Sequence, residues 1–162
     1  MQVRVTEVKS DKSIAAKIEK ASGKDMPLKK DGWQFSWKSL YKTEGADFYK
    51  LTLVGDSSKL QGVVMLTLMN DEMLFMNTIE VASHNFGRNG KYDKVVGCLI
   101  AFACLQSIEL GRGNYEGYLT FESKTVLIPY YEKKYGARLA LGQRMFIEPE
   151  TGERLISQYL TQ

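Results

Sequence analysis

The residues best suited to chemistry lie between Asn85 and Ile108, where a polar loop carrying Arg88, Lys91 and Lys94 runs directly into Val95 to Ile108, a stretch without a charged side chain. Only a helix buried on most of its circumference tolerates such a stretch. A helix N-terminus presents free N–H groups and about half a positive charge, so phosphate oxygens bind there with backbone donors. The basic residues add attraction, and Gly87 and Gly90 let the preceding backbone bend close to a ligand. The same features also suit an ordinary solvated turn, because short Gly/Lys loops are common.

Other chemistries find little support. Cys98 and Cys104 sit six positions apart on the same helical stretch, about 9 Å between Cα atoms at 1.5 Å per residue, too far to bridge. They read as free, buried thiols. The chain has a single histidine, His84, so no metal is expected and a structural zinc site lacks ligands. No Ser-His-Asp spacing stands out. The formal charge is +3 from 22 basic and 19 acidic residues, and the lysines between Lys9 and Lys30 alternate with Asp11, Glu19 and Asp25. That is a solvated face rather than a nucleic-acid groove. No apolar run approaches the ~20 residues of a membrane span. The opening MQVRVTEVKS lacks the apolar core of a secretory signal, which points to the cytoplasm.

The elements that must position the loop follow from periodicity. Val3 and Val5 alternate as a strand, and Ile14, Ala15, Ile18 and Ala21 recur at helical spacing, with Gly23 as the terminator. Trp33, Trp37 and Tyr41, four apart, predict a second helix. The runs FYKLTLV, LQGVVMLTLM and EMLFMNTIEVA, separated by GDSSK and NDE, read as an antiparallel meander. After the buried helix, YEGYLTFE reads as a strand and TVLIPYYEKKY as a helix with Pro129 in or near its first turn. ARLALG and QRMFIEP form a hairpin, and ETGERLISQYL a closing amphipathic helix. The strand-helix-strand unit from Met73 to Phe121 makes its two strands parallel. The expected fold is one α/β domain over residues 1–162 with a mixed (α+β) sheet: strand, two helices, three strands, buried helix, strand, helix, hairpin and short terminal helix.

This order, with IEVASHN leading through the loop into KYDKVVGCLIAFA, resembles the GNAT superfamily of acyl-CoA-dependent N-acyltransferases over nearly the whole chain. In that family a basic-x-x-Gly-x-Gly/Ala loop after the fourth strand holds the coenzyme A pyrophosphate on backbone N–H groups. Aligned on LIAFA, Lys91 takes the basic position, while Lys94 and Val96 fall where the family has small residues. A lysine held at positive φ there would strain or reshape the loop. A one-residue shift that puts Gly90 or Gly97 to work is the alternative. The resemblance thus implies acetyl-CoA as cosubstrate, held by Val81, Ser83, Lys91, Tyr92, Asp93, Lys94, Val95 and Val96. A second resemblance, LIPYYEKKYGAR, places Tyr131 at the family's tyrosine, the proton donor to the departing thiolate.

The implied reaction is direct attack of a primary amine on the thioester in a ternary complex, without a covalent intermediate. The amine must first lose a proton, and Glu80 is the best-placed carboxylate, with His84 as a competing base. Trp33, Phe35 and Trp37 fall near the acceptor entrance or, in the plainer reading, in the core. The acceptor is a small molecule, a peptide or an aminoacylated RNA; no membrane or direct nucleic-acid partner is expected, and a homodimer stays open. Because two small loop residues are missing, the second reading is a GNAT-like acyl-CoA-binding or protein-interaction module without catalysis.

Overall fold

The computed structural model describes residues 1–160. Gln2–Glu7 (β1) and Lys12–Lys20 (β2) form an antiparallel hairpin, Val3 opposite Ala16 and Val5 opposite Ile14. This corrects the helix expected from Ile14, Ala15, Ile18 and Ala21. Ala16 and Ile18 both point into the core, which is strand alternation, and β2 is paired on both sides, so ladder bonding overrides the helical preference of alanine. Gly23 therefore terminates no helix and opens a 3-10 turn, Gly23–Asp25.

The second expected helix shrinks to one turn, Trp37–Leu40 (α1), after another 3-10 turn at Lys29–Asp31. Ala46–Leu53 (β3), Asp56–Met69 (β4) and Met73–Val81 (β5) make the anticipated meander. Tyr92–Asp93 (β6) returns to pair with Glu7 and Thr6 of β1. Val95–Leu110 (α2) is the buried helix, and Leu119–Glu122 (β7) lies parallel to β5 as the strand-helix-strand unit requires. Ile128–Tyr135 (α3), with Pro129 in its first turn, the hairpin Arg138–Leu141 (β8) and Arg144–Ile147 (β9), and Pro149–Tyr159 (α4) complete the chain. One mixed sheet results, in the order β6-β1-β2-β3-β4-β5-β7-β9-β8.

Alternation along β4 divides the interior. Val64 and Leu66 join the main core with α2, Leu51, Leu74 and Ile147, whereas Val63 and Met65 join Trp33, Trp37, Phe48 and Ala82 on the opposite face. α2 lies between the sheet and α4, which is why it carries no charge until Glu109. A Cβ at Gly62 would stand 2.8 Å from Leu99 and 3.0 Å from Val95. The glycine lets the N-terminal half of α2 seat against β4, and that seating fixes where the helix start points.

Candidate functional site

The site is made by two strands that part. β5 and β7 pair only from Leu74 to Met76 and Leu119 to Phe121. The β4–β5 register slips between Met65 and Leu66, leaving Asn77 as the extra residue of a bulge, and a bulge bends and twists its strand. β7 ends at Glu122, so residues 77–81 continue without pairing to it, about 17 Å of strand measured from Met76 to Val81. A cavity of about 250 Å³ opens beside Met76–Ile79, bounded by Phe121–Lys124, Leu127, Tyr131, Gln34 and Phe35. A larger one, about 470 Å³, lies beside Val81 and is walled by Asn85–Gly87, Tyr92–Gly97, Tyr130, Lys134, Tyr135, Gln158 and Tyr159.

The larger cavity faces the start of α2. Val95, Val96 and Gly97 occupy the first three helical positions, whose N–H groups have no partner in the preceding turn. Lys94 precedes them at φ 75°, so the backbone takes the left-handed form on a lysine. Gly90 and Gly97 do not take over that role. A Cβ at Gly97 would run into the Tyr159 ring, and one at Gly90 would meet the Asn85 carbonyl at 2.7 Å; both glycines are needed for close packing. Lys94 and Lys134 bring positive charge to the wall. Against them, the exposed Asp93 carboxylate accepts the Lys94 N–H at 2.8 Å and brings a negative group to the same wall.

A part-buried polar knot around the buried Gln61 shapes the loop before α2. Gln61 Oε1 accepts Asn85 Nδ2 at 3.1 Å and meets His84 Nε2 at 2.6 Å, while Asn85 Oδ1 accepts the Tyr92 N–H at 3.0 Å. The Lys91 N–H bonds the His84 carbonyl, and the Lys91 carbonyl accepts from Val8. His84 is thus built into the loop. Burial, then Lys59 and Lys91, holds its imidazole below the ordinary histidine value.

Tyr131 projects from α3 into the smaller cavity, its ring 5.1 Å from Phe121 and 5.6 Å from Tyr130. Burial, reinforced by Tyr130, raises its phenol above the ordinary tyrosine value, so it holds its proton at neutral pH, as a donor must. Tyr130, the preceding residue, lines the larger cavity instead. Glu80 points to the opposite face of β5 from Val81, and its carboxylate receives the N–H groups of Gln34 at 2.6 Å and Phe35 at 3.2 Å and the indole N–H of Trp37 at 2.8 Å. Trp33 and Trp37 are core residues, while Phe35 is 43 % exposed and lines the smaller cavity.

Of the residues expected to hold a cofactor, Val81, Tyr92, Asp93, Lys94, Val95 and Val96 share the larger cavity, and Ser83 and Lys91 stand outside its lining. Lys91 Nζ lies 5.6 Å from the Tyr92 ring centre. Sequence reasoning missed Tyr130, Lys134 and the α4 residues Gln158 and Tyr159. The tyrosine-lysine run of α3 was the available signal for the first two; the α4 pair shows only as one side of an amphipathic helix. Among the described residues no group of three or more His, Cys, Asp or Glu side chains could hold a metal, and no helix is long and apolar enough to cross a membrane.

No family model and no curated protein matches the sequence. Solved structures do match the fold. A chain of the KacTA–DNA complex superposes with a TM-score of 0.60 at 14% identity, covering 88% of this chain and 99% of its own. AtaT complexed with acetyl-methionyl-tRNAfMet gives 0.59 at 12% identity, with 87% and 99% covered. A GNAT family acetyltransferase from Elizabethkingia anophelis with acetyl-CoA bound gives 0.54 at 15% identity, with 81% and 94% covered. The chain has the fold of the GNAT acetyltransferases.

Proposed function

We propose that this GNAT-fold chain is an acetyl-CoA-dependent N-acetyltransferase. The observation that carries the reading is the end of β5–β7 pairing at the Asn77 bulge, with one cavity at the α2 N-terminus beside Val81 and a second at Tyr131 beside residues 76–79. In this reading the first-turn N–H groups of α2, with Lys94 and Lys134, hold the pyrophosphate, and the exposed Asp93 side chain turns away to admit it. The residues fit such a ligand: backbone donors dominate, and the two cations outnumber the single carboxylate. The unpaired edge of residues 77–81 receives the extended pantetheine arm as a further strand would. Bound acetyl-CoA supplies the thioester that the amine attacks. A peptide N–H of β5 near the bulge stabilises charge on the carbonyl oxygen, the Tyr131 phenol gives its proton to the departing sulfur, and the proton shed by the attacking nitrogen passes to solvent, from which the phenol is restored.

The acceptor end is lined by Phe35, Met76, Ile79, Phe121 and Leu127, with Lys124 at the side. An amine adjoining an apolar side chain fits that lining, as in an aminoacyl group or a peptide N-terminus. AtaT, of the same fold, is seen with acetyl-methionyl-tRNAfMet, which supports placing aminoacylated RNA among the acceptors to be tried. The strained Lys94 and the Asp93 carboxylate at the helix start favour a second reading, an acyl-CoA-binding module without turnover.

Acetyl-CoA titration and thiol release decide between them. At one hundred times its dissociation constant a ligand stabilises the fold by about 2.7 kcal/mol, and the enzyme reading expects both that shift and thiol release with methionine amide, a methionine-initiated peptide or methionyl-RNA. A shift without release on any of them selects the binding module. No shift at millimolar acetyl-CoA overturns both.

A further inference from the structure

Glu80 is a buried carboxylate at 7 % exposure. Among the described residues no lysine or arginine forms an ion pair with it; its charge is met by three N–H donors from residues 34, 35 and 37, more than forty positions away in sequence. Hydrogen bonds to an ionised acceptor are about twice as strong as neutral ones, so these three bonds are the main polar tie between that segment and β5. The carboxylate lines neither cavity, whereas two of the residues it holds, Gln34 and Phe35, form one wall of the smaller one. The segment needs such a tie. Residues 33–36 lie outside any helix, and α1 is a single turn with no side-chain cap.

The geometry points to Glu80 as a positioning residue, one that fixes the Gln34–Trp37 turn as the acceptor wall and does not take the proton of the amine. This rests on the acetyltransferase reading. Val81, next along β5, enters the cofactor cavity, so one strand sets the acceptor wall through Glu80 on one face and the cofactor through Val81 on the other.

Glu80→Gln preserves size but removes the charge and turns an NH2 group toward one of the three donors. In the variant, hydrogen exchange at the Gln34 and Phe35 amides is expected to accelerate about tenfold or more. The KM for methionine amide should rise by a similar factor, with kcat and the acetyl-CoA dissociation constant within about threefold of the unmodified chain. The acidic limb of the kcat/KM pH profile should persist in the variant, because it then reflects deprotonation of the acceptor amine and not of Glu80. Phe35→Ala, at an exposed site, should reproduce the KM effect, and it serves where Glu80→Gln does not fold. Unchanged exchange at Gln34 and Phe35, or disappearance of the acidic limb with KM unaltered, overturns the positioning role while acetyl-CoA still binds. Failure of the unmodified chain to bind acetyl-CoA overturns the acetyltransferase reading and this inference with it.

Discussion

At Lys94 a side chain occupies a backbone conformation that glycine adopts freely. The left-handed form costs an L-residue about 1 to 2 kcal/mol, of which the extra flexibility of an unfolded glycine cancels part. Lys94→Gly is accordingly expected to stabilise the fold by about 0.5 to 1 kcal/mol, read as a higher urea midpoint at unchanged slope. The same change should weaken acetyl-CoA binding, as should Lys134→Ala, because each removes a cation from the pyrophosphate wall, and both losses should shrink as salt screens them. Stronger binding in Lys94→Gly would show that the lysine blocks the cradle. Tyr131 carries a different kind of prediction. Tyr131→Phe should lower turnover about a hundredfold and leave acetyl-CoA affinity in place. Since its phenol is raised above the ordinary value by burial, the protonated, active form extends to higher pH. Turnover should therefore show no alkaline loss attributable to this group below the usual tyrosine range near 10.

Among the elements, α2 and its supports were legible because their burial is all-round: an uncharged stretch of that length has one physical solution. The meander was legible through its turns and β-branched runs. β2 was not, since Ile14, Ala15 and Ile18 satisfy a helical spacing while Ile14, Ala16 and Ile18 satisfy a strand spacing, and only the partners β1 and β3 decide between them. The segment around Trp33 and Trp37 misled for a related reason. Aromatic residues four apart also suit an irregular segment whose shape is set by a distant carboxylate, Glu80. In the site, the loop residues were readable from charge and glycine content, but the α4 wall was not, because nothing local marks Tyr159 as a neighbour of Gly97. That contact makes a prediction about α4. Gly97→Ala places a methyl group against the Tyr159 ring, which must move, and the last turn of α4 with it. A destabilisation of about 1 to 3 kcal/mol is expected by thermal or urea denaturation, together with weaker acetyl-CoA binding, because Tyr159 lines the same cavity.

For the molecule as a whole, the two cysteines report on cooperativity. Both lie on α2 and are fully shielded, and burial pushes each thiol up to about 12. At pH 8 neither forms thiolate nor meets reagent in the folded state, so alkylation has to wait for an opening that frees α2. That helix packs on β1, β4, β5, β7 and α4, and exposing it dismantles the main core. Opening is therefore expected to be global, with labelling of Cys98 and Cys104 proceeding at one common rate that follows the unfolding free energy. Acetyl-CoA at one hundred times its dissociation constant should slow both thiols by the same factor, about a hundredfold, since it binds only the closed form. Iodoacetamide labelling followed by peptide mass spectrometry measures the two sites separately. Cys98 lies nearer the helix start, its Sγ 3.8 Å from the Tyr159 carbonyl. If Cys98 were labelled ahead of Cys104, α4 would be lifting from the first turns of α2 on its own. The cofactor cavity would then open by local unfolding, and the fold would not act as one unit around it.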